Sequence, residues 1–295
     1  MYDVLIIGAG PAGLSAAVYL KRAMLSVAII EKQPLSGGQI LTSYNIENYL
    51  GFTQISGTEL AEKFKKHAEA AGACFIFGEV LKINKNSVEL HNGKTISAKA
   101  IIIASGASHR HLGIKGEKEF IGKGISYCAT CDGAFFADKS VAVIGGGDAA
   151  LENALYLSNI CKRVTLIHRR KRLRAAEILA ERFFSKPNTE FIPNDEAKEF
   201  CGDKKLTNII LKSGKTLAAD GAFIAIGQSP QTKFISKDIK TNVNGYIITD
   251  NDCITSEDGI FAIGDVREKT CRQIITAAAD GAVVSQSVLN YINSL

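Results

Sequence analysis

Two cysteines separated by two residues are the side chains of this sequence best suited to redox chemistry. Cys128 and Cys131 form this pair, and Asp132 follows them directly. A helix start at this position would lower the pKa of a thiol and favour the reactive thiolate, with Asp132 available to carry a proton. A zinc ribbon needs a second pair of this kind, and the sequence has none. The spacing therefore predicts a redox-active dithiol, and an inert buried pair of thiols is the alternative.

A glycine-rich turn near the start of the chain predicts a site for a dinucleotide. The turn follows a short apolar run and precedes a helical stretch. Gly8 allows a tight turn after the strand, Gly10 lets the backbone approach a pyrophosphate, and Gly13 permits close packing of the helix, whose first N–H groups face the phosphates. Glu31 ends the next predicted strand, where a carboxylate accepts ribose hydroxyl groups. We therefore expect a nucleotide with a free 2′-hydroxyl, and a purely structural turn is the alternative.

A second glycine-rich turn, at residues 145–150, lies between a predicted strand and a predicted helix in the same way. Ala150 stands where a third glycine would complete the motif. The strand that follows ends in Arg169 and Arg170 instead of an acid, and Arg174 lies about one helical turn further along. Guanidinium groups at this position suit a 2′-phosphate. The second nucleotide is therefore predicted to be NADPH and not NADH, and a solvated basic face is the alternative.

These residues need elements that hold them, and the repeated order of strand, turn, helix and strand predicts two parallel-sheet domains. Each glycine-rich unit is followed by a meander of short strands, at residues 75–103 and 191–226. The C-terminal segment is too small for a core of its own, so we expect it to complete the first domain. The predicted fold is α/β, with a nucleotide-binding domain at 1–113 and 239–295. A second such domain, at 114–238, is inserted in it and carries the dithiol.

The composition argues against several other classes of protein. The chain has 295 residues, 46% of them hydrophobic, which is enough for a sizeable core. A net charge of +5, the lack of tryptophan and 7% aromatic residues argue against a nucleic-acid partner. No apolar stretch approaches the roughly 18 residues of a membrane span, and the first residues lack the features of a secretory signal. We expect a cytoplasmic protein with no membrane association and no metal site.

The sequence closely resembles the low-molecular-weight, bacterial-type thioredoxin reductases over essentially its whole length. The motifs that carry the resemblance, besides the two glycine-rich turns, are Gly37-Gly38-Gln39, Ile46-Glu47-Asn48-Tyr49, Tyr127 to Gly133, His168-Arg169-Arg170 with Arg174, Gly264-Asp265-Val266, and Arg272-Gln273. The dithiol with its following Asp-Gly, placed between two nucleotide motifs, separates this family from the ferredoxin-NADP reductases of similar fold. The resemblance implies a fold of the FAD/NAD(P)-linked pyridine nucleotide-disulfide oxidoreductase type.

The resemblance also implies which residues bind the two cofactors, FAD in the outer domain and NADPH in the inserted one. Expected at FAD are Gly8, Gly10, Pro11, Ala12, Gly13, Glu31, Gly38, Gln39, Asn48, Gly264, Asp265, Arg272, Gln273 and Ile274. Expected at NADPH are Gly145, Gly147, Asp148, Ala149, His168, Arg169, Arg170 and Arg174. In such enzymes the second cysteine, here Cys131, faces the flavin, and the first, here Cys128, attacks the disulfide of thioredoxin. Asp132 matches the acid/base residue of the family, and the expected assembly is a homodimer.

The sequence departs from the usual residues of the family at four positions: Ala149 replaces a frequent Ser, Leu173 a Phe, Ser105 a Thr and Lys115 a Pro. None of these removes a group with assigned chemistry. Some relatives have lost the NADPH motifs and take electrons from ferredoxin. This chain retains the second glycine-rich turn and its arginines, which argues against ferredoxin as its electron donor. Two alternatives stay open: a flavoprotein that feeds a different carrier, such as a glutaredoxin-like or peroxiredoxin partner, and a redox sensor that cycles its dithiol without turnover.

Overall fold

A computed structural model describes residues 1–43 and 46–295, with Thr42 described through its backbone alone. The chain divides into two compact units. The first combines Met1–Ser108 with Ser229–Leu295, and the second is His109–Gln228. The predicted boundary between residues 113 and 114 lies a few residues inside the second unit, whereas the predicted boundary between residues 238 and 239 lies about ten residues beyond its end, within the first unit. Each crossing of the structure falls within a short strand.

The helices and strands follow one another closely along the chain. The helices are α1 (Pro11–Arg22), α2 (Gly57–Ala70), α3 (Glu117–Phe120), α4 (Ala129–Asp132), α5 (Asp148–Ser158), α6 (Glu177–Phe184) and α7 (Ile274–Asn293). The strands are β1 (Tyr2–Ile7), β2 (Val27–Glu31), β3 (Cys74–Phe77), β4 (Val80–Asn84), β5 (Ser87–Leu90), β6 (Thr95–Ile103), β7 (Ala107–His109), β8 (Ile125–Ser126), β9 (Ser140–Gly145), β10 (Arg163–His168), β11 (Thr189–Pro193), β12 (Ala197–Gly202), β13 (Leu206–Leu211), β14 (Thr216–Ala218), β15 (Gly221–Ala225), β16 (Gln228–Pro230) and β17 (Ile260–Ala262). Among the helices of the described chain, none combines the length and apolarity needed to cross a bilayer.

The first unit is built on a sheet in which β1 lies between β2 and β6, parallel to both. β3 pairs in parallel with β2, and β17, from the C-terminal segment, pairs in parallel with β6. The four residues of β1 from Val4 to Ile7 are each at most 5% exposed. Hydrophobic clusters cover both faces of this sheet, which explains why the strand is a continuous apolar run and not an alternating one.

Helices α1 and α7 pack closely in the first unit because small residues face each other. A Cβ on Gly281 would lie 2.6 Å from Ala16 N and 2.7 Å from Ala12 O. The Ser15 hydroxyl donates a hydrogen bond to Ala278 O across the same contact, at 2.7 Å. The chain therefore holds the helix that follows the first glycine-rich turn against its own C-terminal helix.

The second unit repeats the plan with a sheet of order β11-β10-β9-β15-β8, parallel throughout. The antiparallel strands β12, β13 and β14 form a separate meander. Helix α5 starts directly after the second glycine-rich turn at the end of β9, and helix α4 packs against it. The predicted α/β class, with a parallel sheet in each unit, is confirmed.

Candidate active site and nucleotide-binding sites

The two cysteines of the predicted dithiol are joined in a disulfide, with their Cα atoms 5.3 Å apart. Cys128 is the residue before helix α4, so the predicted helix start beside the dithiol is present. Both cysteines are half-buried. In the described parts of the chain, no three His, Cys, Asp or Glu side chains are grouped so that they could hold a metal ion.

Asp132 ends the helical turn of the dithiol and is hydrogen-bonded to a residue that precedes the motif. The Ser126 hydroxyl donates to Asp132 Oδ2 at 2.6 Å. Burial raises the pKa of the Asp132 carboxyl group, and the hydrogen bond from Ser126 opposes part of that rise. The same Ser126 oxygen accepts a hydrogen bond from Cys128 N at 3.0 Å. Sequence reasoning missed Ser126, although its position two residues before a reactive cysteine is a usable signal.

A polar cluster around Tyr127, the residue before Cys128, was also missed. The Tyr127 hydroxyl donates to Glu117 Oε1 at 2.8 Å and lies 2.8 Å from His111 Nδ1. Glu117 is only 2% exposed and accepts two further hydrogen bonds from the backbone N–H groups of residues 112–113. Although burial acts to raise it, these hydrogen bonds hold the pKa of Glu117 below its usual value. No sequence motif joins these residues, so only the fold shows that they meet.

The turn after β1 needs its glycines for two different reasons. A Cβ on Gly8, whose φ is +108°, would clash with Ala104 O, and one on Gly13 would clash with Gly8 O. The protein's own backbone excludes side chains at these two positions. A Cβ on Gly10, in contrast, would meet no atom within 4 Å. Gly10 therefore gives access to the backbone, as a pyrophosphate requires. Gly38 stands beside it, since a Cβ there would lie 3.6 Å from Gly10 Cα.

Glu31 lies at the end of β2 with its carboxylate fixed beside the first turn. Oε2 accepts a hydrogen bond from Ala9 N at 2.8 Å, and Oε1 accepts one from Gln33 N at 2.8 Å. Each carboxylate oxygen keeps a second lone pair for a further donor. The geometry thus fits the predicted role of Glu31 as an acceptor for ribose hydroxyl groups.

Polar residues from the two ends of the sequence meet in the first unit. Gln39 Nε2 donates to Asp265 Oδ2 at 3.2 Å, and Asn48 Nδ2 donates to Gln273 Oε1 at 3.1 Å. All four are predicted FAD contacts. The structure therefore brings together residues that the resemblance alone assigns to one site.

Two buried polar atoms of this group have no partner among residues 1–43 and 46–295: Asp265 Oδ1 and Arg272 Nε. Burial raises the pKa of Asp265, and the positive charges of Arg272 and Lys269 oppose that rise. The Arg272 guanidinium stands over the Tyr246 ring, 4.3 Å from its centroid. Buried polar groups are normally hydrogen-bonded, so these two atoms point to a ligand that supplies the missing bonds. The residues present fit a polar cofactor such as FAD.

Asp280 on α7 positions the segment that carries Asp265, and sequence reasoning missed it. The Asp280 carboxylate accepts hydrogen bonds from Gly264 N at 2.8 Å, Arg267 Nε at 3.0 Å and Lys269 Nζ at 2.9 Å. Asp280 is 6% exposed, and although burial acts to raise it, these bonds hold its pKa below the usual value. Asp280 is the only charged residue of α7, and this is the signal that could have identified it.

The turn after β9 divides its glycines in the same way as the first. A Cβ on Gly145 would clash with Ala225 O, whereas one on Gly147 would meet nothing within 4 Å. Gly146 is excluded by the His168 ring, which occupies the space of a side chain there. His168 is 5% exposed, and burial together with the neighbouring arginines lowers its pKa. The His168 ring therefore packs against Gly146 and supports the turn, and its lowered pKa favours the neutral form.

Arg169, Arg170 and Arg174 are all exposed next to the second turn. Within the described chain, the arginine ion pairs involve Arg163 and Arg267 and not these three residues. Their guanidinium groups are thus available to an anion, as the prediction of a 2′-phosphate requires.

Two hydrogen bonds tie the arginine-rich loop to the second turn. Arg174 N donates to Gly146 O at 2.7 Å, and Ala176 N donates to Asp148 Oδ1 at 2.7 Å. Asp148, a predicted NADPH contact, thus has one oxygen engaged by the backbone of this loop. The glycine-rich turn and the arginines therefore form one contiguous surface of the second unit.

The other predicted contacts include residues in the first turns of helices α1, α5 and α7. Pro11 and Ala12 open α1, and a Cβ on Gly264 would lie 2.9 Å from Ala12 Cβ. Ile274 opens α7 and packs partly buried against a small hydrophobic cluster. Ala149 is exposed in the first turn of α5. Pro11, Ala12 and Ala149 are thus close to the glycine-rich turn that precedes their helix.

Comparison with known proteins agrees with this geometry. Residues 2–281 match the family of the pyridine nucleotide-disulphide oxidoreductases. The chain is 42% identical to the thioredoxin reductase of Bacillus subtilis over 100% of its own length and 96% of that protein, and 46% identical to the thioredoxin reductase of Treponema pallidum over 100% and 98%. A crystal structure of thioredoxin reductase from Streptococcus pyogenes superposes with a TM-score of 0.94 at 45% identity, covering 100% of this chain and 99% of that one. The chain therefore belongs to the pyridine nucleotide-disulphide oxidoreductases and, within them, to the thioredoxin reductases.

Proposed function

We propose that this chain is an NADPH-dependent flavoprotein that reduces the disulfide of thioredoxin through Cys128 and Cys131. The observation that carries the proposal is the disulfide between these two cysteines, with the buried carboxyl group of Asp132 beside it. The same unit holds the second glycine-rich turn with its exposed arginines. The other unit holds the first glycine-rich turn, with the Glu31 carboxylate hydrogen-bonded beside it. Membership of the thioredoxin reductases supports thioredoxin as the protein substrate.

The first unit would hold FAD through the open side of its glycine-rich turn and the polar group around Asp265. Gly10 would let the pyrophosphate approach the backbone, and Glu31 would accept hydrogen bonds from the ribose hydroxyl groups. Asp265 Oδ1 and Arg272 Nε, which have no partner among the described residues, would form hydrogen bonds with the cofactor. FAD, when bound, supplies a two-electron carrier between NADPH and the disulfide. Two hydrogen bonds already fix the segment that would orient this group. Gln39 holds the Asp265 side chain, and Asp280 holds the backbone N–H group of Gly264.

The second unit would hold NADPH at the turn after β9. Gly147 leaves the backbone accessible to the pyrophosphate, and His168 supports the turn through Gly146. The guanidinium groups of Arg169, Arg170 and Arg174 form charge-assisted hydrogen bonds with the 2′-phosphate. The remaining contacts expected at this nucleotide are Gly145, Asp148 and Ala149.

Reduction of thioredoxin follows from thiol–disulfide exchange at the reduced dithiol. The Cys128 thiolate attacks one sulfur of the thioredoxin disulfide, a mixed disulfide forms, and the departing thioredoxin thiolate takes a proton. The Cys131 thiolate then attacks Cys128 Sγ, which closes the enzyme disulfide and releases the second thioredoxin sulfur to take another proton. Two electrons pass from the enzyme to thioredoxin. Asp132 transfers protons beside this pair, a task suited to a carboxyl group whose pKa is raised by burial.

The test uses the purified holoprotein with NADPH, thioredoxin and a chromogenic disulfide. Continuous NADPH oxidation that depends on thioredoxin is expected. A protein that consumes one equivalent of NADPH and stops would be a sensor, and one that turns over only with a glutaredoxin-like or peroxiredoxin carrier would be a reductase of another partner. Either result would contradict the proposal.

We also propose that the protein acts as a homodimer in the cytoplasm, as its family membership suggests. Analytical ultracentrifugation of the FAD-loaded protein tests the first part, with a single species of twice the 31.6 kDa chain mass as the expected result. Fractionation of the source cells tests the second.

A further inference from the structure

We propose that Ser126 is a positioning residue of the dithiol: one buried hydroxyl group links the carboxyl group of Asp132 to the backbone of Cys128. The inference deepens the proposed function, since it rests on Asp132 as the proton-transfer group. Ser126 does not contact the sulfur atoms through any hydrogen bond of the described chain, so it acts through Asp132 and through the N–H group of Cys128.

The hydroxyl group of Ser126 uses both its donor and its acceptor capacity. It donates to Asp132 Oδ2 at 2.6 Å and accepts from Cys128 N at 3.0 Å. Cys128 O lies further away, at 3.3 Å. A hydroxyl group has one proton, so the shorter contact to the carboxyl group takes it. The length of this bond is typical of a charge-assisted hydrogen bond to a carboxylate.

The fold holds Ser126 in place for this role. It ends strand β8, where it pairs with Phe223 of β15 at the edge of the parallel sheet. Ser126 is 6% exposed, so water does not compete freely for its hydroxyl group. Strand β8 therefore fixes the hydroxyl oxygen of Ser126. That oxygen in turn holds Cys128 N and the Asp132 carboxyl group, at the two ends of the short turn that contains both cysteines.

The surroundings of Asp132 make the hydroxyl group important for its protonation. Burial raises the pKa of Asp132, and among the described residues the hydrogen bond from Ser126 is the contact that opposes this rise. The ionisable residues of the packed helix α5, Asp148, Glu152 and Tyr156, form no hydrogen bond or ion pair with Asp132 in the described chain, and the turn Gly133–Phe136 carries no ionisable residue. In the reduced protein the thiols of Cys128 and Cys131 are further titratable groups of the same short turn.

The first experiment measures the titration of Asp132 directly, independently of turnover. Infrared difference spectra of the holoprotein follow the C=O band of the protonated carboxyl group, which Asp132→Asn assigns by removing it. In Ser126→Ala the midpoint is expected to move to higher pH by about one pH unit, because the carboxylate loses its donor. Ser126→Thr retains a hydroxyl group and should keep the wild-type midpoint.

A matched control is available in the same unit. Ser158 is similarly buried, at 8% exposure, and its hydroxyl group donates only to Leu155 O within its own helix. Ser158→Ala should leave the Asp132 midpoint unchanged. An unshifted midpoint in Ser126→Ala, or a midpoint in Ser126→Thr equal to that of Ser126→Ala, would overturn the proposal.

The second experiment measures coupling in the reaction. Ser126→Ala should lower kcat/KM for thioredoxin and shift its pH profile in the same direction as the infrared midpoint. Added to Asp132→Asn, Ser126→Ala should cost less than it does in the wild-type background, because the part of its effect that acts through the carboxyl group is already lost and only the part through Cys128 N remains. Equal losses in both backgrounds would contradict this. If no variant or wild-type protein turns over thioredoxin, the proposed function fails while the infrared titration still decides the role of Ser126.

Discussion

Gly10 and Gly147 occupy equivalent places in their turns, and an added Cβ at either would meet no protein atom within 4 Å. The glycines before them, Gly8 and Gly145, are excluded from carrying side chains by the backbone of a neighbouring strand or its end. Single residues thus separate into those that the fold requires and those that a ligand requires. In the proposed function the exposed arginines beside the second turn belong to the latter, and no carboxylate of the described chain pairs with them.

Replacement of Arg169 and Arg170 by Ala should raise the KM for NADPH by about tenfold or more, because each lost charge-assisted bond to the 2′-phosphate weakens binding. The KM for NADH should change little, since NADH lacks that phosphate. Steady-state kinetics with both nucleotides measure the difference. Arg182→Ala, at an exposed position of α6, is the control and should alter neither value. Equal effects on the two nucleotides would remove the assigned role.

Cys128→Ser and Cys131→Ser should each abolish thioredoxin reduction, because exchange through an internal disulfide needs both sulfur atoms. Oxidation of NADPH by a small artificial electron acceptor should continue in both variants, since that reaction bypasses the dithiol. Cys74→Ser removes an exposed thiol in the other unit and should retain full activity. A single variant of the pair that reduces thioredoxin at the wild-type rate would show that the dithiol is not on the pathway.

Contacts between elements decide where the ligand-binding residues stand. Helix α7 packs on α1 through Gly281, and its Asp280 holds the segment with Gly264 and Arg267. These two consecutive residues of α7 therefore make different contacts. Gly281 faces helix α1, and Asp280 binds the segment after β17 that carries Asp265.

Gly281→Ala should destabilise the protein by up to about 2 kcal/mol, because the added Cβ would press on the backbone of α1 at Ala12 and Ala16 at a cost of about 1 to 3 kcal/mol. The usual gain in helix propensity from Gly to Ala, about 1 kcal/mol, is smaller than this cost at its upper end. Urea denaturation measures the change. Gln286→Ala, exposed on the same helix, should stay within about 0.5 kcal/mol of the wild type. A Gly281→Ala variant more stable than the wild type would show that α1 and α7 can move apart at little cost.

Asp280→Asn should lower the free energy of unfolding at pH 7 by about 3 kcal/mol, because two buried cations lose their shared anion. The folded-state pKa of Asp280 lies below its usual value of 3.8. Its contribution is therefore complete above about pH 4 and is lost as the pH falls through the folded-state pKa. The wild type and the variant should converge in acid when urea denaturation is repeated between pH 7 and pH 3. Asp252→Asn, at an exposed position, should show no such convergence.

The two nucleotide sites that we propose lie on two compact units of the molecule, each site within its own unit. The division follows the chain only in part, since Ser229–Leu295 belongs with Met1–Ser108. In the first unit the residues around Asp265 come from both of these segments, whereas in the second the turn, the arginines and the dithiol come from one continuous segment.

Gly10→Val and Gly147→Val should each block one nucleotide only. The backbone at both positions has negative φ, −77° and −102°, so valine fits the chain while its side chain occupies the approach to the pyrophosphate. Gly147→Val should retain FAD, measured by the absorbance of the purified protein, and lose affinity for NADPH. Gly10→Val should be purified without FAD yet still bind NADPH by calorimetry. Each variant is the control of the other, and joint loss of both nucleotides in either variant would contradict separate sites.

The sequence by itself determined the features that lie within a few residues of one another. Both glycine-rich turns, the acid at Glu31, the arginines after the second turn and the dithiol could be identified because their spacing along a strand, a turn and a helix is set by local geometry. The α/β class follows from the same repeated order. His168 was identified too, although only the fold shows that it packs under Gly146.

The tertiary structure alone decided which distant polar groups meet. Gln39 and Asp265 are 226 positions apart, and Asn48 and Gln273 are 225 apart, yet both pairs are hydrogen-bonded. No periodicity in the sequence encodes such pairs, because they depend on how the sheet brings the C-terminal segment back to β6. Ser126 and Asp132 are only six positions apart, yet their hydrogen bond also needed the structure, because packing places the end of a strand beside a short helical turn and buries the bond between them.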